Sequence, residues 1–347
     1  MTPLLPADDL DSIVGRVGQA WEPLSGKRLF LTGGTGFFGK WLVGSFLRAN
    51  DRLGLGASLH LLTRSPERFR AAEPALANHP AVTLVPGDLR DFPFPEGGFS
   101  HCLHAATDAD TALIERDPAG TLAATYAGTE RVLAFCRQAG VGRFLLTSSG
   151  AVYGVQAPDL PRVPESYPGA PDPQGPASAY GEGKRLAELL LAIHRRQWGL
   201  QGVVARCWAF VGPHLPLEAH FAVGNFIGAA LRREPIIVKG DGTPARTYLY
   251  ASDLAWWLWR LLLAAPDGTV CNVGAEEEVS IAGVARLVAE IAGGGSPVRI
   301  LGTPVPGRAP ARYVPAIDRA AGLGLRPSVP LRAALEKTLR FYAMRPT

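Results

Sequence analysis

Thr32-Gly33-Gly34-Thr35-Gly36-Phe37-Phe38-Gly39 is the stretch on which the reading of this chain turns. It follows a short β-like run at 28–31 and opens a helical pattern over 38–49. Glycines at 33, 36 and 39 permit a tight turn, close approach of backbone to a pyrophosphate, and close packing of helix on strand. The helix N-terminus beyond them presents free N–H groups and the positive end of its dipole, which together suit a phosphate. The glycine spacing departs from the commoner G-x-G-x-x-G form. Its position between strand and helix is what favours a dinucleotide over a generic turn.

Outward from this stretch, short apolar runs alternate with longer helical patterns. Runs at 58–62, 82–85, 101–104, 143–147 and 202–206 read as strands, and 122–138 and 179–198 as helices. Strands alternating with helices predict an α/β fold, a Rossmann-type doubly wound parallel sheet covered on both faces. Residues 1–26 read as a short helical lead-in. Pro and Gly crowd 154–176, a loop whose length is unusual in a compact domain unless it serves function. Past 206 the pattern loosens: helices near 219–233, 253–264, 281–292 and 331–343, and extended pieces at 235–238, 246–251 and 298–301. We expect residues 1–206, joined by roughly 235–265, to form the dinucleotide-binding domain. Residues 207–347 then make mainly a smaller, partly interleaved α/β substrate domain.

Composition narrows the function. The chain has 347 residues, 47% apolar and 19% charged, with a formal charge of +4. That is enough apolar surface for a sizeable core. The positive charge is nearly all Arg, scattered without a basic run, so no nucleic-acid face is expected. Cys102, Cys136, Cys207 and Cys271 are far apart in sequence, with no Cys-x-x-Cys pair. A reducing compartment is predicted rather than a disulfide framework or zinc. The most apolar segment, 254–265, is broken by Arg260 and too short to span a bilayer. With no signal-peptide pattern at the N-terminus, a cytoplasmic protein is expected.

Tyr180-Gly181-Glu182-Gly183-Lys184 sets a phenol and an ammonium four residues apart, on one face of a helix. An ammonium near a phenol lowers the phenol's pKa and makes it usable as an acid/base. The strand at 143–147 runs into Ser148-Ser149-Gly150-Ala151, where a serine hydroxyl can bond a substrate oxygen. Asp88, in Gly87-Asp88-Leu89-Arg90-Asp91, stands where a carboxylate accepts from an adenine amino group. Ala105, Ala106 and Thr107 are small enough to let a cofactor lie over the sheet edge. An NAD enzyme usually has an acid at the end of the second strand. Here Arg64 stands in Leu62-Thr63-Arg64-Ser65, and a guanidinium suits a 2′-phosphate. That places NADP ahead of NAD.

Taken in this order, these motifs resemble the extended short-chain dehydrogenase/reductases, in particular the NAD-dependent epimerase/dehydratase family that acts on nucleotide sugars. The resemblance covers roughly residues 27–343. It implies that the 32–39 stretch, with Gly33, Thr35, Gly36, Phe37, Phe38 and Gly39, binds NAD(P), joined by Leu89 and Thr125. It implies Ser149 as hydroxyl partner, Tyr180 as base, and Lys184 as its activator and holder of the nicotinamide ribose. Gly240 to Tyr250, followed by Asp253, resembles the segment whose Arg grips the nucleotide diphosphate, a role falling on Arg246. The segment 307–318 resembles the last nucleotide-binding piece, with Arg312 as second phosphate ligand and Arg308 as its alternative. His220 falls where relatives place a sugar-contacting polar residue, and His214 is a second candidate in that loop. The helices at 119–138 and 179–198 would pair across a homodimer.

Departures from the pattern bear on the reaction. The 4,6-dehydratases carry Asp-Glu where Gly150-Ala151 stand, the decarboxylases also usually carry an acid there, and GDP-fucose-forming epimerases carry Cys at 151. All three are disfavoured. Asn is replaced by Ala209 in the sugar loop and by Thr125 before the catalytic strand. A nucleotide-sugar epimerase working through a transient keto-sugar is expected, with no metal. An NADPH-dependent 4-ketoreductase is the alternative, and a non-catalytic dinucleotide-binding protein is a third reading. On the first reading Gly150 and Ala151 leave room for the keto-sugar to turn over.

Overall fold

The computed structural model describes residues 5–106, 111–218, 221–307 and 309–344. Thr107, His220 and Arg308, all singled out above, lie outside the described residues. The first half runs α1 (Ala7–Val17), β1 (Arg28–Thr32), α2 (Phe37–Leu53), β2 (Ser58–Thr63), α3 (Pro66–Ala72), α4 (Pro74–Ala77), β3 (Val82–Pro86) and β4 (His101–His104). It continues with α5 (Thr111–Arg116), α6 (Pro118–Gln138), β5 (Arg143–Ser149), α7 (Ala179–Trp198) and β6 (Gln201–Cys207). The second half holds β7 (Phe210–Val211), α8 (Ala222–Leu231), β8 (Ile236–Val238), β9 (Ala245–Arg246), β10 (Leu249–Tyr250) and α9 (Ala251–Ala264). It ends with β11 (Val270–Val273), β12 (Val279–Ser280), α10 (Ile281–Ile291), β13 (Val298–Ile300), β14 (Arg312–Tyr313), α11 (Asp318–Gly322) and α12 (Leu331–Ala343).

Seven parallel strands form the central sheet in the order β11-β6-β5-β4-β1-β2-β3. The order reverses between β1 and β4, and ligands of open α/β sheets bind at such a switch point. Alternation along the strands builds both faces. Leu29, Leu31, Leu103, Leu145 and Val203 pack with α1, α2 and α9. Phe30, Cys102, Phe144, Leu146 and Val204 pack with α6 and α7. The apolar segment at 254–265 is most of α9, buried on the sheet with Trp257 and Trp259 fully enclosed. No described helix is long and apolar enough to cross a membrane.

The lead-in helix is bolted down by one buried carboxylate. Asp9 accepts from the Tyr250 hydroxyl at 2.7 Å and from the Lys337 ammonium. It thereby joins α1 to the start of α9 and to α12.

Within residues 235–265, α9 packs on the main sheet. Ile236–Val238 pairs with β13 in a separate two-stranded sheet. The edge of the main sheet is instead β11, which pairs with β6. Its four residues follow a Pro266-Asp267-Gly268 turn, too short a run for periodicity to reveal. The helices α3 and α4 also go unannounced, being only seven and four residues long.

The loop at 154–176 is pinned rather than loose. Val163 donates to Val314 O at 2.9 Å, Ala316 donates back to Val163 O at 3.0 Å, and Gln156 Oε1 accepts from Val314 N at 2.9 Å. Glu165 accepts from the backbone N–H of Asn272 on β11 at 2.8 Å. The loop therefore fixes the strand that carries Tyr313 against the end of the main sheet.

Candidate active site

The glycine stretch lies at the switch point. Gly33 has φ +75°, and a β-carbon there would lie 2.6 Å from the backbone of Ala105 and Ala106, so the two chain segments touch. Gly36, the residue before α2, is exposed, a β-carbon there would meet only Gly33 O at 3.5 Å, and it offers no side chain to cap the helix. This leaves a bare groove above uncapped N–H groups, bounded by Ala105 and Ala106, and a dinucleotide pyrophosphate fits it. Phe37 and Phe38 are half-buried at the groove's start, and Phe38 meets Phe210 edge-on at 5.0 Å. Thr35 is half-buried in the turn.

Beneath the groove lies a closed polar network. Ala106 N–H donates to Thr32 Oγ1 at 3.1 Å, and the same oxygen lies 2.8 Å from His104 Nδ1. Thr129 spends its own proton on Thr125 O at 2.8 Å, so it accepts from His104 Nε2 at 3.2 Å. Burial, with Lys184 second, pushes the His104 pKa down to about 3, so the ring is neutral. Nε2–H donates to Thr129, and Nδ1 accepts the Thr32 hydroxyl proton. His101, buried at the start of β4, is pushed down to about 4, again by burial first and then by Arg143 and Lys27. Both values lie below the ordinary 6.5, so the unfolded chain takes up protons that the folded one refuses. Stability is therefore whole above pH 6.5 and is lost as pH falls toward the folded values. Two such protons predict a loss of several kcal/mol between about pH 6.5 and 5, at about 1.4 kcal/mol per proton and pH unit. Urea midpoints measured across that range check it. A flat profile would remove the buried-histidine account.

Ser149, Tyr180 and Lys184 lie at the end of β5 and in the first turns of α7. Ser149 and Ser148 take opposite sides of β5. Ser148 donates to Glu188, which is paired with Arg206 at 2.7 Å. Ser149 turns to the groove side, where its Oγ accepts from Ala151 N at 3.1 Å and is the hydrogen-bonding neighbour that draws the Tyr180 phenol down. Lys184 is buried, donates to Thr147 O at 2.8 Å, and holds its ammonium 6.0 Å from the Tyr180 ring centre. Thr125 packs from α6 against Gly183, between Tyr180 and Lys184 on the chain.

The electrostatics differ from the sequence expectation. Burial, with a smaller push from Cys207, raises the Tyr180 phenol to about 12. Burial also lowers Lys184 to about 8, against opposing pulls from Cys207 and Glu188. Desolvation of the charged form thus dominates at both groups in the protein by itself.

Other expected site residues are dispersed. Arg64 is exposed at the end of β2. Asp88 is engaged by Arg90 at 2.7 Å, which lowers its carboxyl, with Arg64 adding to the effect. Leu89 packs against Gly128 of α6. His214 is buried beside Lys40 at 3.3 Å and Glu73 at 3.6 Å, behind α2, in a structural ion cluster.

The two arginines separate. Tyr313 is registered with Arg246, and Arg312 with Ala245, so Tyr313 and Arg246 share one face and Arg312 takes the other. Arg246 lies 5.6 Å from the Tyr313 ring centre, and no carboxylate among the described residues pairs with it. Arg312 is ion-paired with Glu278.

Sequence reasoning missed Tyr313 and Trp208. Their rings lie 4.4 Å apart. A β-carbon on Gly150 would lie 2.6 Å from the Tyr313 hydroxyl and 2.8 Å from the Trp208 ring. The space that Gly150 was expected to leave for a turning keto-sugar is therefore filled by these two side chains. Alternation along an Arg312-Tyr313 strand was the available signal, but it needed the register with Arg246.

Residues 29–274 match the NAD dependent epimerase/dehydratase family. The chain belongs to it. It is an enzyme of the extended short-chain dehydrogenase/reductase type. It is 31% identical over 310 residues to UDP-glucuronic acid decarboxylase 3 of Arabidopsis thaliana, covering 89% of this chain and 86% of that protein. The NAD complex of Thermus thermophilus UDP-glucose 4-epimerase superposes with a TM-score of 0.74 at 26% identity, covering 92% of this chain and all of that one. DesIV, a dTDP-glucose 4,6-dehydratase of Streptomyces venezuelae solved with NAD and TYD, shares the fold with a TM-score of 0.76 at 24% identity, over 91% and 96% of the two chains.

Proposed function

We propose that this enzyme is a nucleotide-sugar epimerase that works through a transient keto-sugar. The observation that carries the reading is the meeting of Ser149, Tyr180 and Lys184 beside the bare glycine groove, with Gly150 and Ala151 supplying no further carboxylate. Elimination and decarboxylation, as the resemblance describes them, call for an acid at that position. Among related reactions, reversible oxidation at one carbon makes the least demand on these residues.

Tyr180 takes the proton of the sugar hydroxyl, and Ser149 bonds the same oxygen through the keto stage. Lys184, tied to Thr147 O, keeps a positive charge on the phenol's side of the groove. A bound oxidised nicotinamide would accept and return the hydride, and its positive charge would favour the phenolate. Gly33, Gly36, Ala105 and Ala106 would form its bed. Arg246, on the open face with Tyr313, would grip the diphosphate of the substrate. Arg312 would join it only by leaving Glu278.

Arg64 supports a second reading, an NADPH-dependent 4-ketoreductase, because an exposed guanidinium at the end of β2 suits a 2′-phosphate. A phenol that is protonated at rest also suits proton donation to a keto oxygen. We also infer a homodimer through α6 and α7, where Leu122, Tyr126, Leu189, Ile193 and Trp198 are exposed. Its test is a sedimentation mass of twice the chain.

Incubation with UDP-, dTDP-, GDP- and CDP-hexoses, UDP-glucuronic acid and keto-sugars decides the reaction. The epimerase reading expects one pair of sugars to interconvert with no net cofactor consumption. Stoichiometric NADPH loss with a keto-sugar would replace it with the reductase, and CO2 from UDP-glucuronic acid with a decarboxylase. A mass spectrum of the copurifying dinucleotide separates NAD from NADP.

A further inference from the structure

We infer that His104 is a positioning residue that couples the dinucleotide bed to Lys184. Its ring fixes Thr32 and Ala106 beneath the glycine groove, and its carbonyl fixes Thr147, on which Lys184 is held. This role presupposes that the groove holds a dinucleotide, and it is independent of which sugar is bound.

Strand register brings the pieces together. Thr32 at the end of β1 pairs with His104 at the end of β4, and His104 pairs with Leu146 on β5. Three groups of His104 bond outside the strand ladder, and all three are taken. Nδ1 lies 2.8 Å from Thr32 Oγ1, Nε2 lies 3.2 Å from Thr129 Oγ1, and the carbonyl accepts from Thr147 Oγ1 at 3.1 Å. Thr129 gives its proton to Thr125 O at 2.8 Å, so Nε2 carries the ring proton and Nδ1 accepts. Thr32 therefore donates to Nδ1 and keeps a lone pair for the Ala106 N–H at 3.1 Å. The Thr32 carbonyl takes the Ala105 N–H at 3.2 Å. Both peptides that bound the groove thus hang on one threonine, and His104 aims its hydroxyl.

On the other side the chain runs to the ammonium. Thr147 gives its hydroxyl proton to His104 O, and its own carbonyl accepts from Lys184 Nζ at 2.8 Å. Thr32, His104, Thr129, Thr147 and Lys184 are all buried. No hydroxyl in the chain can turn without leaving a buried group unpaired, which is costly. Hydrogen bonds in series in such a setting also polarise one another. A displacement of the bed is therefore passed to Lys184, and the reverse. The two hydroxyls flanking the ring, one on β1 and one on α6, call for an acceptor on one edge and a donor on the other. A neutral imidazole supplies both, a glutamine carries the same two functions, and a leucine carries neither.

Thr32→Val and Thr147→Val each delete one hydroxyl from an end of the chain and keep the side-chain shape. NADH or NADPH, whichever the wild type binds more tightly, is titrated into each purified protein well below its urea midpoint. Binding is read by energy transfer from tryptophan to the nicotinamide. Each single variant is expected to weaken binding about fivefold, the scale of one lost hydrogen bond. The double variant should lose no more than about tenfold, well short of the roughly twenty-five-fold of independent effects. His104→Leu should match the double variant, and His104→Gln should stay within about twofold of the wild type. Losses that multiply in the double variant, or wild-type binding in His104→Leu, overturn the coupling and leave the groove as the dinucleotide bed. A His104→Gln protein as weak as His104→Leu overturns it too, since shape rather than hydrogen bonding would then decide. A wild type that binds neither dinucleotide would overturn the bed itself and this role with it.

Discussion

Tyr180→Phe is expected to lower turnover by about 10²–10⁴-fold while leaving nucleotide-sugar binding near its wild-type strength. Phenylalanine preserves the ring, so the first turn of α7 and the placement of Lys184 on Thr147 O survive. What is lost is the one oxygen that exchanges a proton with the sugar hydroxyl. The loss should fall on kcat, because the phenol's proton transfer belongs to the transition state. Titration of the variant with a UDP-sugar, read by tryptophan fluorescence, gives the binding half of the test. Retention of more than about a tenth of the turnover would return the chain to the reading of a dinucleotide-binding scaffold. Loss of binding together with turnover would instead show that Tyr180 holds the sugar.

The strand–glycine–helix unit was legible because each of its parts is local. A β-run, a glycine turn and an amphipathic helix are contiguous in sequence, and their order fixes where α2 starts. Helix α7 was equally legible, since its boundaries coincide with a periodic run that begins at Ala179 and ends before Gly199. The Tyr180–Lys184 spacing needed nothing beyond the helical repeat. Contacts that join distant segments were a different matter. Arg246 and Arg312 looked like a matched pair of phosphate ligands, but a one-residue offset in strand register sends them to opposite faces. Gly150 looked like empty space until β14, more than 160 positions on, was found to deliver Tyr313 into it. His214 was a plausible site histidine in sequence, and only folding buried it beside Lys40 and Glu73. The electrostatic expectation for Tyr180 failed for the same reason. Spacing reports which charges are neighbours, whereas desolvation depends on everything packed around them.

Asp253 makes the same point with the larger consequence for stability. It came to notice at the end of the stretch that resembles a nucleotide-sugar-binding segment, yet its carboxylate is fully buried in the first turn of α9. Oδ1 accepts from Trp256 Nε1 at 2.8 Å and from the Ser328 hydroxyl at 2.5 Å. Oδ2 accepts from the backbone N–H groups of Ser328 at 2.8 Å and Val329 at 3.1 Å. One side chain thus ties α9, which lies on the main sheet, to the segment leading into α12. Asp253→Ala strands an indole, a hydroxyl and two backbone N–H groups without an acceptor. Hydrogen bonds to a charged group contribute about 1.5–3 kcal/mol each, so the variant should lose at least about 4 kcal/mol. That is comparable to the whole stability of many domains, about 5–15 kcal/mol. Asp253→Asn keeps the volume but turns two donors toward the existing ones, so it should lie between the wild type and Asp253→Ala. Urea midpoints measure the loss, and turnover per folded molecule should stay near the wild type for Asp253→Asn. An Asp253→Ala protein within about 1 kcal/mol of the wild type would mean that water reaches these donors and that the carboxylate is no bolt.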